Sequence, residues 1–222
     1  DDGGTIMQCV VCNRQRPALD RLPGVIKGIP GGNPTGTSLI SANANAFESY
    51  GLEASQVAPI CAECAEKFTN SFNVLLSSRS NRLYVQDVVY LFWTKEAVGF
   101  DVISLFDSPD PEKVRELIDG ARQGRFDKEL DATPYYALAL TANNARAVVR
   151  DWLDTTIGQA KVHLATWFAR QSIVDGYGEA PAPLKLYSLA AATVRDPKKE
   201  LSSQTTVMLL RTALTGAPLP DR

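Results

Sequence analysis

Two cysteine pairs are the residues whose type and spacing could do chemistry in this chain. Cys9 and Cys12 form one Cys-x-x-Cys pair, Cys61 and Cys64 form the other, and the sequence holds four cysteines in all. Thiolates two residues apart can turn both sulfurs onto one ion, and two such pairs complete a tetrahedral shell for zinc. A shell of four sulfurs leaves no position for water or substrate, so the sequence predicts a structural Zn²⁺ site.

Two other uses of the cysteines stay open at this point. Residues 13–60 separate the pairs, a longer stretch than the usual finger or ribbon spacing, so disulfides or unrelated buried thiols are the alternative. A redox Cys-x-x-Cys is expected beside a β-α-β pattern and has no need of a second pair.

The segment between the pairs combines turn-forming residues with positive charge. Its glycines and prolines predict an ordered loop or short strands held by the metal. The run Gly24–Ser38 contains neither Gly-Lys-Ser/Thr nor Gly-x-Gly-x-x-Gly, so it is not a nucleotide-hydrolysis loop. Residues 9–46 contain one carboxylate and four cationic side chains, which are Arg14, Arg16, Arg21 and Lys27.

This segment also holds the candidate nucleic-acid ligands. Glycines let the backbone approach a phosphate chain, Lys27 can neutralise phosphate, and Ser38 with the loop amides can position it. Asn43 and Asn45 can reach base edges, and the aromatic side chains that follow can stack on unpaired bases. The alternative is a passive connector, with the asparagines in turns and the aromatics in the core.

The remaining composition excludes several classes of function. The net charge of −2 argues against a free-standing, charge-driven nucleic-acid binder. His163 is the only histidine and lies in a predicted helix, where a structural role is usual, so no catalytic set emerges and we expect no enzyme. No apolar run reaches the roughly 18 residues of a membrane span, and no signal peptide is recognisable, so we expect a cytoplasmic protein.

The elements that position these residues predict an α+β fold. We expect a zinc-stapled α/β region over 1–105, with its Gly/Pro-rich loop, and a mainly helical region with one strand over 106–222. Strands are predicted at Leu83–Thr94 and Tyr135–Thr141. Helices are predicted at Cys61–Ser78, Pro111–Ala121 capped by Asp110, Asn143 or Asn144 to Asp154, Gly158–Val174, Leu184–Val194 and Ser202–Thr215. Trp152 is expected in the core, on a helical face.

Several short sequence motifs occur in an order that resembles the large subunit of the type I-C CRISPR surveillance complex, Cascade. They are Ile26–Gly28, Gly36–Ser41, Asn43–Gly51, Ala58-Pro59, Leu91–Trp93 and Leu138–Arg146. The resemblance runs from about Cys9 to the carboxyl end. Since both ends look cut, the chain is expected to be the central piece of a longer subunit. Zinc is inferred from the cysteine spacing and not from the resemblance.

The resemblance implies a non-catalytic, RNA-guided subunit in antiviral defence. Such a subunit helps recognise the motif that flanks the target and helps open double-stranded DNA. Its partners would be target DNA, guide RNA, the other Cascade subunits and a recruited nuclease-helicase. The alternative is a structural scaffold that contacts only guide RNA and partner subunits.

Overall fold

The computed structural model describes residues 4–22, 24–40, 46, 48, 50–96, 98–125, 128–171 and 182–219. These residues form both helices and strands, which confirms the predicted α+β class. The strands are β1 (Ile6–Gln8), β2 (Gln15–Pro17), β3 (Arg82–Val85), β4 (Val88–Thr94), β5 (Pro134–Asn143) and β6 (Arg146–Thr156). The helices are α1 (Ala62–Ser77), α2 (Val102–Asp107), α3 (Pro111–Arg122), α4 (Lys128–Asp131), α5 (Ile157–Ala169), α6 (Leu186–Ala191), α7 (Pro197–Glu200) and α8 (Ser203–Thr215).

The backbone separates into two compact units. Unit 1 is residues 1–79 with 140–149, and unit 2 is residues 80–139 with 150–222. This division differs from the predicted boundary at residue 105, because the chain leaves unit 2 at residue 140, follows the turn between β5 and β6, and returns at residue 150. The half-and-half layout expected from the sequence is therefore not confirmed.

Unit 1 is built on a small hairpin and one long helix. Strands β1 and β2 pair antiparallel, with Met7 opposite Arg16. Helix α1 confirms the helix predicted at Cys61–Ser78, and its buried side chains recur at helical spacing. Cys61 is the N-cap residue of this helix, so the second cysteine pair lies in its first turn, as predicted.

The strand predicted at Leu83–Thr94 is in fact the hairpin of β3 and β4. Val85 pairs with Val88, so Gln86 and Asp87 form the two-residue turn between the strands. Gln86 has a φ of 57°, in the left-handed region that such hairpin turns require. The apolar residues on both sides concealed the polar pair in the sequence pattern. The larger sheet has the order β3-β4-β5-β6.

The helix predicted from Asn143 or Asn144 to Asp154 is wrong, because these residues belong to the hairpin of β5 and β6. Asn144 has a φ of 55° and turns the chain between the two strands. The β-branched and aromatic side chains that follow suit a pleated strand better than a helix. Trp152 is likewise not a core residue: it lies on β6 and is 49% exposed.

Helices complete unit 2 around a core of its own. Asp110 caps α3, as predicted, by accepting a hydrogen bond from the Glu112 N–H at 2.9 Å. Helix α5 packs against α3 and α8. The Nδ1–H of His163 donates to the Leu214 carbonyl across 2.9 Å, which gives the single histidine a structural partner. None of the described helices is both long and apolar enough to cross a membrane.

Candidate metal centre and adjoining loop

The first cysteine pair lies in the turn of the β1–β2 hairpin. The Cys9 N–H donates to the Arg14 carbonyl at 2.9 Å, and the Asn13 N–H donates to the Cys9 carbonyl at 2.8 Å. Asn13 has a φ of 59°, a left-handed conformation that Asn tolerates better than most residues. These bonds curl the turn so that Cys9 and Cys12 can face the same side.

The second pair is brought to the first by backbone hydrogen bonds. The Val10 N–H donates to the Pro59 carbonyl at 2.9 Å, and the Leu19 N–H donates to the Ile60 carbonyl at 3.0 Å. The segment leading into α1 is therefore fastened beside the hairpin before the helix begins. This arrangement overcomes the long chain separation between the pairs.

All four sulfurs converge, as the sequence analysis predicted. Their Sγ atoms lie within 4.8 Å of one another, and Cys12 Sγ is 4.0 Å from Cys61 Sγ. Zn–S bonds of about 2.3 Å place tetrahedral sulfurs about 3.8 Å apart, so the cluster fits one metal ion. Every thiol is free, which does not support the disulfide alternative. The Cys61 N–H also donates to Cys9 Sγ across 3.5 Å.

The surroundings shift the pKa values of Cys9 and Cys64 in opposite directions. Burial raises the pKa of Cys9. Hydrogen bonds with the backbone of Cys12, Cys61 and Val11 together have the larger effect and lower this pKa to about 6. Burial and the neighbouring sulfurs raise the pKa of Cys64 to about 12. Cys9 therefore favours the thiolate form, whereas Cys64 resists ionisation until a cation compensates the added charge.

An apolar shell surrounds the cluster. Ile60 and Ala65 are buried with the cysteines, and Leu19, Leu22 and Phe68 pack against them. Such a shell excludes water from a bound ion and suits a structural site better than a catalytic one.

The Gly/Pro-rich loop after the hairpin is ordered by its own hydrogen bonds. Ile26 and Thr37 exchange two backbone N–H to carbonyl bonds of 2.8 Å each. Thr37 is buried, and its hydroxyl donates to the Ile26 carbonyl at 3.1 Å. Gly36 has a φ of +118°, and a Cβ there would lie 2.7 Å from Val25, so this position requires glycine. The loop thus has a defined shape.

The same loop pairs with the turn between β5 and β6. The Ser38 N–H donates to the Ala145 carbonyl at 2.8 Å, and the Ala147 N–H donates to the Ser38 carbonyl at 2.9 Å. Further along, the Ala142 N–H donates to the Pro30 carbonyl at 3.2 Å. The backbone N–H and carbonyl of Ser38 are therefore both used inside the protein, and the Ser38 hydroxyl stays a candidate phosphate ligand.

Asn73 is a positioning residue that the sequence analysis missed. Its side chain extends from α1, where its Nδ2 donates to the Val25 carbonyl at 3.0 Å. Its Oδ1 accepts from the Lys27 N–H at 2.9 Å. A single amide thus fixes the backbone on both sides of Ile26. The signal available in the sequence was a polar residue on the face of α1 that is otherwise apolar.

The predicted cations lie on the surface of unit 1. We call Arg14, Arg16, Arg21 and Lys27 the cationic surface, and all four are exposed. No described carboxylate lies within ion-pair distance of any of them. Asn43 and Asn45 lie outside the described residues. Tyr50 is one of the aromatic residues that follow these asparagines, and it is fully exposed, so the alternative of a core position is wrong for this residue.

A family model described as CRISPR-associated protein (Cas_Csd1) matches residues 1–222. No curated protein matches the chain.

Proposed function

Because the chain belongs to the Cas_Csd1 family of CRISPR-associated proteins, we propose that it acts in the type I-C Cascade complex as a nucleic-acid-binding subunit without catalytic activity. It helps recognise the motif that flanks the target and helps open double-stranded DNA. Its partners are the target DNA, guide RNA, the other Cascade subunits and the recruited nuclease-helicase.

The cationic surface is the observation that carries this proposal. Lys27 lies on a loop whose shape is fixed by hydrogen bonds, and the three arginines precede that loop in the chain. All four are exposed, and no described carboxylate lies within ion-pair distance of any of them. A loop of defined shape holds the Lys27 backbone in one place, which suits a contact to phosphate. The rest of the chain offsets this charge, since the net charge is −2, so binding depends on the complex to bring this surface to the duplex.

Within this surface Lys27 is the leading phosphate ligand. Its backbone is held by Asn73 while its side chain stays exposed. Arg14 and Arg16 follow the metal turn, which is the β1–β2 turn at residues 9–13, and extend the positive surface. The Ser38 hydroxyl and the amides of Asn43 and Asn45 are further candidate contacts to the phosphate chain and the base edges.

We assign Zn²⁺ as the ion of the four-cysteine cluster. Four thiolates in a tetrahedral arrangement favour soft or borderline metal ions. Among these ions zinc has no redox chemistry, and it therefore suits a structural site. Zinc there holds the β1–β2 turn against the start of α1 and so supports the loop that carries Lys27.

The alternative function is a scaffold that contacts only guide RNA and partner subunits. One observation favours it: Val10 and Val11, at the tip of the metal turn, are 62% and 58% exposed. Adjacent exposed apolar side chains on a rigid turn suit a protein partner better than DNA.

Duplex binding by the reconstituted complex tests the proposal. Lys27→Ala should weaken binding to target duplex roughly five- to tenfold near 0.1 M salt and reduce the salt slope by about 1. Lys198→Ala is the matched control, because it removes an exposed lysine from α7 in unit 2. Unchanged affinity and slope for Lys27→Ala, together with crosslinks from unit 1 only to RNA and protein, would favour the scaffold.

A further inference from the structure

The two faces of the larger sheet carry different aromatic groups. Strands β4, β5 and β6 are neighbours in this sheet, and side chains alternate between its faces along each strand. One residue of each strand packs into the core of unit 2, and these residues are Phe92, Tyr135 and Leu153. Their chain neighbours Trp93, Tyr136 and Trp152 therefore lie on the opposite face, which we call the outer face.

Trp93, Tyr136 and Trp152 form one aromatic cluster across the three strands. The Trp93 ring centroid lies 5.6 Å from that of Tyr136 and 5.5 Å from that of Trp152. The centroids of Tyr136 and Trp152 lie 6.0 Å apart. Aromatic rings at these distances contact one another, so each ring is supported by the other two. A supported ring loses little conformational freedom when a flat ligand packs on it.

Solvent reaches the aromatic cluster. Trp152 is 49% exposed, and Trp93 and Tyr136 are partly exposed. The aliphatic side chains Leu91 and Leu138 follow the same alternation onto the outer face, but both are buried. The apolar surface that unit 2 exposes on this face is therefore aromatic, which suits the flat rings of bases better than the aliphatic stripe of a protein helix.

Charged side chains flank the rings. Arg150 and Asp154 lie two residues before and two residues after Trp152 on β6, and both are exposed. On β3, which pairs with β4, the Arg82 guanidinium lies 5.1 Å from the centre of the Tyr84 ring. Arginine therefore accompanies exposed rings on both edge strands of the sheet, and it can contact phosphate. Asp154 disfavours phosphate at the other end of Trp152.

We propose that the outer face binds a single-stranded nucleic acid by stacking unpaired bases on the aromatic cluster. One base packs on Trp152 and its neighbour on the accessible part of Trp93 and Tyr136, while Arg150 contacts the phosphate. Four-stranded sheets with exposed aromatic side chains bind single strands in this way. The site goes beyond the proposed function, since it lies in unit 2 and uses none of the residues of the cationic surface.

The indole N–H signals in the NMR spectrum of the chain test the site. The chain has three tryptophans, and the third, Trp167, lies on α5 and packs against the core of unit 2. Ten-nucleotide oligo(dA) or oligo(rA) should shift the signals of Trp152 and Trp93 and leave that of Trp167 in place. The comparison of the two strands shows whether DNA or RNA binds more tightly.

An abasic ten-mer separates stacking from attraction to phosphate. It carries the same phosphates as oligo(dA) but has no bases. Because each stacked base contributes roughly 5- to 150-fold to affinity, the abasic strand should bind more weakly than oligo(dA) by at least this factor. Equal binding of the two strands would overturn stacking as the mode of recognition.

Two substitutions of Trp152 separate stacking from a structural role. Trp152→Leu keeps an apolar side chain on β6 but removes the ring, and it should weaken oligo(dA) binding roughly 5- to 150-fold, measured at the Trp93 signal. Trp152→Phe keeps a ring and should retain most of the affinity. Tyr187→Leu is the matched control, because Tyr187 is 48% exposed but lies on α6. This variant should bind as wild type does.

Two further results would overturn the site. One is equal binding by Trp152→Leu and wild type, and the other is the absence of any shift at millimolar oligonucleotide. If no strand binds and Trp152→Leu impairs assembly with the other Cascade subunits, the outer face belongs to a protein partner instead. Lys27→Ala should leave oligo(dA) binding at the outer face unchanged, so this proposal and the proposed function fail separately.

Discussion

At the scale of single residues, Cys61 contacts both cysteines of the first pair. Its Sγ lies 4.0 Å from Cys12 Sγ, and its N–H donates to Cys9 Sγ. Replacement by serine removes a soft ligand while leaving the backbone contact in place. The metal would then have three sulfurs and a poor fourth ligand.

We therefore expect Cys61→Ser to lower zinc affinity by more than the roughly 10- to 100-fold that loss of an outer-shell partner causes. Zinc content after purification and competition with a colorimetric chelator measure the change. Val11→Ser is the control, because it adds the same hydroxyl to the exposed metal turn but keeps all four sulfurs. Near-stoichiometric zinc in Cys61→Ser would contradict a four-thiolate site.

At the scale of elements, the contact between α1 and the loop depends on one side chain. Asn73 makes two hydrogen bonds to the loop backbone, at Val25 and Lys27. At about 0.5–1.5 kcal/mol each, their loss in Asn73→Ala should free the loop locally without unfolding α1. We expect faster amide hydrogen exchange at Lys27 with little change in melting temperature.

Asn70→Ala provides the matched control for that prediction. Asn70 lies one turn earlier on α1, is exposed, and makes no side-chain hydrogen bond among the described residues. Equal exchange rates at Lys27 in both variants would show that other contacts hold the loop.

The elements also show how far sequence reasoning reaches. The two Cys-x-x-Cys pairs, helix α1 and the Asp110 cap could be recognised in the sequence because each depends on residues close together in the chain. The β6 strand was not, since a strand is stabilised by a partner strand, and the apolar spacing of Val148 and Trp152 also fits a helix. The loop was predicted to be ordered, but its shape was not predictable for the same reason: it depends on Asn73 and on the β5–β6 turn, both distant in sequence.

At the scale of the whole molecule, each unit has an apolar core of its own. The core of unit 2 includes Tyr90, Phe106 and Leu164 and contains no cysteine. The core around the metal cluster is much smaller, with Ile60 and Ala65 as its buried residues besides the cysteines. A small core of this kind depends on metal binding for its folding free energy.

Removal of zinc should therefore loosen unit 1 while unit 2 stays folded. Hydrogen exchange measured by mass spectrometry, with and without exhaustive chelation, should show lost protection at Cys9, Leu19 and Thr37. Amides of β4 and α5 should keep theirs, and added Zn²⁺ but not Mg²⁺ should restore the first group, because magnesium prefers oxygen ligands. Unchanged protection in unit 1 after chelation would show that hydrogen bonds and apolar contacts alone hold the hairpin against α1. Equal loss in both units would show instead that the chain unfolds as one cooperative body, which separate cores do not predict.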